Sequence, residues 1–123
     1  MLLICFSLFS FRVIAAQYIE CPSIEEIKLG HFHSWLPLYV DQEELASDAD
    51  VALFIKDVES LEVAQWNPAY LESAHCFYDG KQLAKKIVFA HDAWRPLLPG
   101  KWRVKDKFAE CFSKNKIDCG FIL

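Results

Sequence analysis

Glycine is scarce in this chain, with four residues in 123. Glycine-rich backbone is what phosphate-cradling loops and the strained elbow of serine hydrolases are made from, and neither a P-loop run nor a G-x-S-x-G occurs. There is no C-x-x-C pair, so the closely spaced ligands of a structural zinc site are missing as well. Beyond residue 16 no apolar run approaches the ~20 residues that a bilayer-spanning helix needs. The sequence also has no internal repeat, low-complexity tract or interior linker. A chain of 123 residues with 54% hydrophobic and 24% charged residues reads as one globular domain.

The first sixteen residues differ from the rest. Met1 to Ala16 has no acid and one base, Arg12, among Leu2, Leu3, Ile4, Phe6, Leu8, Phe9 and Phe11, and it ends Val13-Ile14-Ala15-Ala16. A small residue at Ala15 or Ala16 after that apolar run suits a signal peptidase, although the usual basic start is missing. The expectation is a signal segment over residues 1–16 and one domain over 17–123, periplasmic or secreted, with no stable transmembrane segment after cleavage. Removing that segment takes Cys5 away and leaves Cys21, Cys76, Cys111 and Cys119. An even set in an exported domain reads as two disulfides. Three pairings are open on sequence alone; we favour Cys111 with Cys119 and Cys21 with Cys76.

Local signals predict an α+β domain: an antiparallel sheet of four to five strands with a short N-terminal and a longer C-terminal helix. Ser23 followed by Glu26 forms a capping box for a helix over 24–29, which Gly30 can stop. A short strand follows within 31–40, which Pro37 limits to a strand edge or to an interrupted strand. Residues 41–50 hold five acids and no base and read as a solvated loop, with room for one helical turn at 42–46. Val51, Leu53, Ile55, Leu61 and Val63 alternate, predicting two strands or one bent strand over 51–66. Asp79-Gly80 between two apolar runs predicts a type I′ hairpin turn. Val104, Phe108, Cys111 and Phe112 predict an amphipathic helix over 101–113, and the alternation over 117–123 predicts a final strand.

Charge is divided along the chain. Residues 17–72 hold twelve acids and two bases, whereas residues 73–123 hold five acids and ten bases. Either the halves pair within the fold, or the domain has oppositely charged faces suited to a charged partner or to head-to-tail assembly. A net negative domain with no recognisable motif is not expected to bind nucleic acid.

Few residues suggest a site. His31-Phe32-His33 would place two imidazoles on one face of a strand, a weak candidate for a metal, and no cofactor is called for. Nothing selects a carboxylate pair or a nucleophile, so no catalytic residue is assigned. Trp94 and Trp102 flank a Pro/Gly loop together with Arg95, Lys101 and Arg103, which suggests an exposed aromatic and cationic patch for a protein or envelope component.

Cys21-Pro22-Ser23 with Ile24 and Ile27, Cys76-Phe77-Tyr78, and Cys111 with Cys119-Gly120-Phe121 resemble a family of small exported gammaproteobacterial proteins of unknown function. The resemblance spans most of residues 17–123 and implies export and disulfides, but no activity. The expected function is a non-catalytic, macromolecule-binding module of the periplasm or envelope, such as an accessory part of a secretion or envelope assembly. The alternative is a secreted effector or small hydrolase.

Overall fold

The computed structural model describes residues 17–32 and 34–123. The expected signal segment and His33 lie outside the described residues. The fold is α+β, with two antiparallel sheets of three and six strands in place of the expected single sheet of four to five. Its elements are β1 (Tyr18–Ile19), α1 (Ile24–Lys28), β2 (Leu36–Tyr39), α2 (Asp48–Asp57), β3 (Val58–Trp66), β4 (Ala74–Gly80), β5 (Ile87–His91), β6 (Arg95–Pro96), β7 (Arg103–Val104), β8 (Ala109–Cys111) and β9 (Phe121–Ile122), with 3₁₀ turns at Leu83–Lys85 and Lys116–Cys119. One sheet has the order β2-β5-β4-β3-β8-β7 and the other β1-β9-β6. Among the described residues no helix is long and apolar enough to cross a membrane.

α1 follows its caps. The Ser23 hydroxyl accepts from the Glu26 N–H at 3.1 Å, the Glu26 carboxylate accepts from the Ser23 N–H at 3.1 Å, and Gly30 leaves the helix at φ +72°. Ile27 is fully buried beside Cys21, which is bonded to Cys76 in the middle of β4. β2 is indeed an edge strand, where Pro37 costs no ladder bond that the sheet needs.

Local expectations fail in three regions of the chain. Residues 48–57 form a helix, because Ser47 caps it, Asp48 and Asp50 favour its positive end, and Val51, Phe54 and Ile55 bury one helical stripe. The period-two reading had relied on Leu53, which is exposed. The helical turn expected over 42–46 is instead a tight turn held by Tyr39.

Asp79-Gly80 does not form a hairpin turn either. Gly80 ends β4 paired with Val58, and the chain reaches β5 through residues 81–86, whose N–H groups at Lys81, Gln82 and Ala84 donate to the Asp57 carboxylate at 2.8–2.9 Å. Glycine is needed there for close approach rather than for positive φ. A Cβ would lie 2.7 Å from that of Ala84 and closer still to the Asp57 carbonyl oxygen.

Residues 101–113 are the third correction. They form the β7–β8 hairpin, in which Ala109 and Cys111 are buried while Val104 and Phe112 are exposed, so the burial follows period two in place of a helical stripe. The longer C-terminal helix is therefore absent, and the longer helix is α2. The final strand is reduced to Phe121–Ile122 after a 3₁₀ turn.

The alternation of β4 and β5 divides the interior. Ala74, Cys76, Tyr78, Ile87 and Phe89 face the main core with Phe54, Trp35, Trp102 and Phe121, while Phe77, Val88 and Ala90 join Leu38 in a small cluster on the opposite face.

Candidate functional site

Trp66 closes β3, where it pairs with Ala74 on one side and Ala109 on the other. Asn67 and Pro68 then turn the chain out of the sheet: the Asn67 side chain accepts from the Ala69 N–H at 3.0 Å, and the Asn67 N–H donates to the Ser73 carbonyl at 2.8 Å. The loop so closed is tied to the segment after β5. The Ser73 hydroxyl donates to the Ala93 carbonyl and accepts from the Ala93 N–H at 2.9 Å, and the Trp66 indole donates to the same carbonyl at 3.3 Å.

A trough runs beside this junction as two hollows of about 950 and 610 Å³ that share Trp66, Pro68 and Ala69. Tyr70, Leu71 and Trp94 line the first. Arg95, Leu98, Val104, Lys105 and Lys107 line the second, which lies between the free side of β6 and the free side of β7. Trp94 is 65% exposed, and the Arg95 guanidinium sits 4.3 Å from the centre of its ring. Leu71, Leu98 and Val104 are exposed too. These apolar groups are too close together to resemble singly scattered surface residues.

The expected aromatic and cationic patch is thus divided. Trp94 and Arg95 belong to the trough. Trp102 does not: it is only 9% exposed, donates its indole N–H to the Gly120 carbonyl at 3.0 Å and packs against Phe121. A tryptophan beside β7 fills the space between the two sheets, so its burial is structural. Lys101 lies 3.4 Å from Asp118, whose carboxyl is held below the usual range by a hydrogen bond from Ser113 and by Lys101. Arg103 covers the Phe112 ring and stands opposite Glu110. Trp66, Tyr70, Leu71, Leu98, Val104, Lys105 and Lys107 had not been assigned to a site. Asn67-Pro68 marked the turn, but only the fold brings that turn to residues 94–107.

The histidines are scattered. His31 lies outside any strand, which begins at Leu36, so the expected strand face for His31 and His33 is not formed by the described residues. Among those residues no group of three His, Cys, Asp or Glu could hold a metal. His75 is 94% buried, and its Nδ1 makes no hydrogen bond. Its ring meets Tyr70 and Phe77 beside a hollow of about 120 Å³. Burial lowers its pKa, opposed by Glu43, Glu72 and the Ser73 backbone. His91 holds Nδ1 2.6 Å from the Asp92 carbonyl, a contact that makes this nitrogen the donor and leaves Nε2 to accept from the Ser34 hydroxyl at 3.1 Å. That is an imidazole and a hydroxyl in hydrogen-bond reach, with Ser34 exposed and His91 half-buried.

The disulfides join Cys21 to Cys76 and Cys111 to Cys119, with Cα separations of 5.8 and 5.6 Å. The chain matches no family model, no curated protein and no solved structure.

Proposed function

We propose that this chain is an exported, non-catalytic module of the periplasm or cell envelope that binds a protein partner through the Trp94–Arg95 trough. Export is supported by two disulfides, which persist in oxidising compartments, and by the apolar start of the sequence. The resemblance to small exported proteins through Cys21-Pro22 and Cys76-Phe77-Tyr78 belongs to the same reading. The observation that carries the binding role is the exposed Trp94 ring with Arg95 stacked on it in the wall of a large apolar hollow. Tryptophan and arginine are enriched among the few residues that carry most of the binding energy of protein interfaces.

A photo-cross-linking residue placed at Leu71 or Leu98 in the exported protein tests it. The expected result is a discrete adduct with an envelope protein, lost when Trp94→Ala and Arg95→Glu are combined. Adducts unaffected by that double change would reject the trough as the binding surface.

The Ser34–His91 contact favours a second reading, a small secreted hydrolase in which His91 takes the proton of Ser34. Turnover of short-chain esters that disappears in Ser34→Ala would support it; equal background hydrolysis by both proteins would dismiss it.

A further inference from the structure

The acidic stretch after β2 is shaped into a knob. The Tyr39 N–H donates to the Glu44 carbonyl at 2.8 Å, the Glu43 N–H returns to the Tyr39 carbonyl at 3.0 Å, and the Ala46 N–H donates to the Pro37 carbonyl at 2.8 Å. Glu43 takes φ +51° to close the turn. The tip presents Asp41, Glu43 and Glu44 beside Leu45, which is 64% exposed. This is an apolar anchor flanked by carboxylates, held in place by its own backbone.

The trough has the complementary character, apolar walls with Arg95, Lys105 and Lys107 against the single acid Asp106 in its second hollow. The ion pairs among the described residues join Lys85 to Asp79, Lys101 to Asp118, and Lys116 to Glu20 and Glu26. None of them neutralises the knob or these three cations. The knob and the cationic second hollow also lie beside opposite edges of one sheet, the knob on β2 and that hollow on β7. Five strand spacings separate those edges, about 24 Å, so a knob is out of reach of the cationic second hollow of its own chain, whereas its Glu43 lines a small hollow together with Tyr70 at the first.

We propose that the trough receives the Asp41–Leu45 knob of a second copy, giving head-to-tail association. This rests on the trough being a binding surface and names its occupant. A contact made by opposite edges is heterologous: the assembly keeps one knob and one trough free at its two ends, and it grows without closing unless its rotation makes a ring.

The test is sedimentation equilibrium of the full exported chain with its disulfides intact, from about 10 µM to about 1 mM, at about 50 and 500 mM salt. The expected wild-type result is a mean mass that rises with concentration at low salt, with association at least tenfold weaker at high salt. Glu43→Lys with Glu44→Lys keeps the trough and spoils the knob; Lys105→Glu with Lys107→Glu does the reverse. Each is expected to be monomeric alone, and an equimolar mixture to form a complex of the two variants, because the native knob of one meets the native trough of the other and the two reversed patches are also of opposite charge. Formation of that complex also shows that both variants are folded. Should either pair fail to fold, Glu44→Lys and Lys107→Glu take its place.

A wild type that stays monomeric at ~1 mM and low salt overturns the inference, as does self-association that both variants retain. A monomer that still gives the Trp94-dependent adduct with an envelope protein keeps the trough as a binding surface and removes only its self-docking role. Loss of both results removes both readings.

Discussion

Tyr78 donates its phenolic O–H to the carbonyl oxygen of Pro22 at 2.6 Å, across 56 positions of sequence, with both partners next to the Cys21–Cys76 bridge. The ring is almost fully buried, and burial raises the phenol pKa well above its ordinary value. The hydroxyl therefore stays a donor, and the hydrogen bond and the disulfide together seat α1 on the sheet. Tyr78→Phe keeps the packing and leaves a carbonyl unpaired, so it is expected to cost about 1–2 kcal/mol in urea unfolding. Replacing both Cys21 and Cys76 by alanine opens a loop of 55 residues and is expected to cost about 4 kcal/mol, against about 2.5 for the short Cys111–Cys119 loop.

Lys116 reaches Glu26 at 2.7 Å and joins the C-terminal 3₁₀ turn to the capping box of α1. Its hydrogen bond, with that of the Ser23 backbone, holds the Glu26 carboxyl at about 2. The folded value lies below the ordinary 4.5, so the contribution is complete above about pH 4.5 and is lost as pH falls toward 2. Both side chains are a third or more exposed, and screening by water limits the effect to about 1 kcal/mol. Urea titrations at pH 6 and pH 3 should show a smaller acid loss in Glu26→Gln than in the wild type.

His75 works in the opposite manner to a paired histidine. Its folded pKa is below the ordinary 6.5, so the unfolded chain takes up the proton first and stability falls as pH drops below about 6.5. A leucine in its place should flatten the stability profile between pH 7.5 and 5. An unchanged profile would mean that Glu43 and Glu72 compensate fully for the burial.

The two tryptophans of the expected patch should respond differently. Trp102→Ala removes a core ring and its hydrogen bond to Gly120, at about 3–5 kcal/mol. Trp94→Ala removes an exposed ring and should change unfolding by less than about 0.5 kcal/mol. A large loss of stability in Trp94→Ala would mean that the ring supports the fold instead of a surface for partners.

Local contacts explain which elements could be read from sequence. The capping box of Ser23 and Glu26 lies within one turn, and the Pro37 strand obeys a rule that concerns its own residues and one neighbour. Residues 48–58 satisfied two periods at once. Val51 and Ile55 fit both, and the choice fell on whether Leu53 or Phe54 entered the core, which depends on Tyr78 and Phe89 waiting there. The signal for the helix was present in Ser47, Asp48 and Asp50. Residues 103–111 had a helical stripe, yet pairing with Trp66, Gln65 and Ala64 of β3 turned them into a hairpin.

By itself the sequence determined the mixed α+β character, the first helix and the separation of acids from bases, since each follows from composition or from residues within a few positions of one another. Only the tertiary structure decided that Trp94 stays at the surface while Trp102 is buried, that Asn67–Ser73 meets Arg95 and Val104 to form a trough, and that the acidic knob and the cationic second hollow flank opposite edges of one sheet. Those outcomes depend on strand order and on which side chain fills the core, and both are set by contacts between residues far apart in the chain.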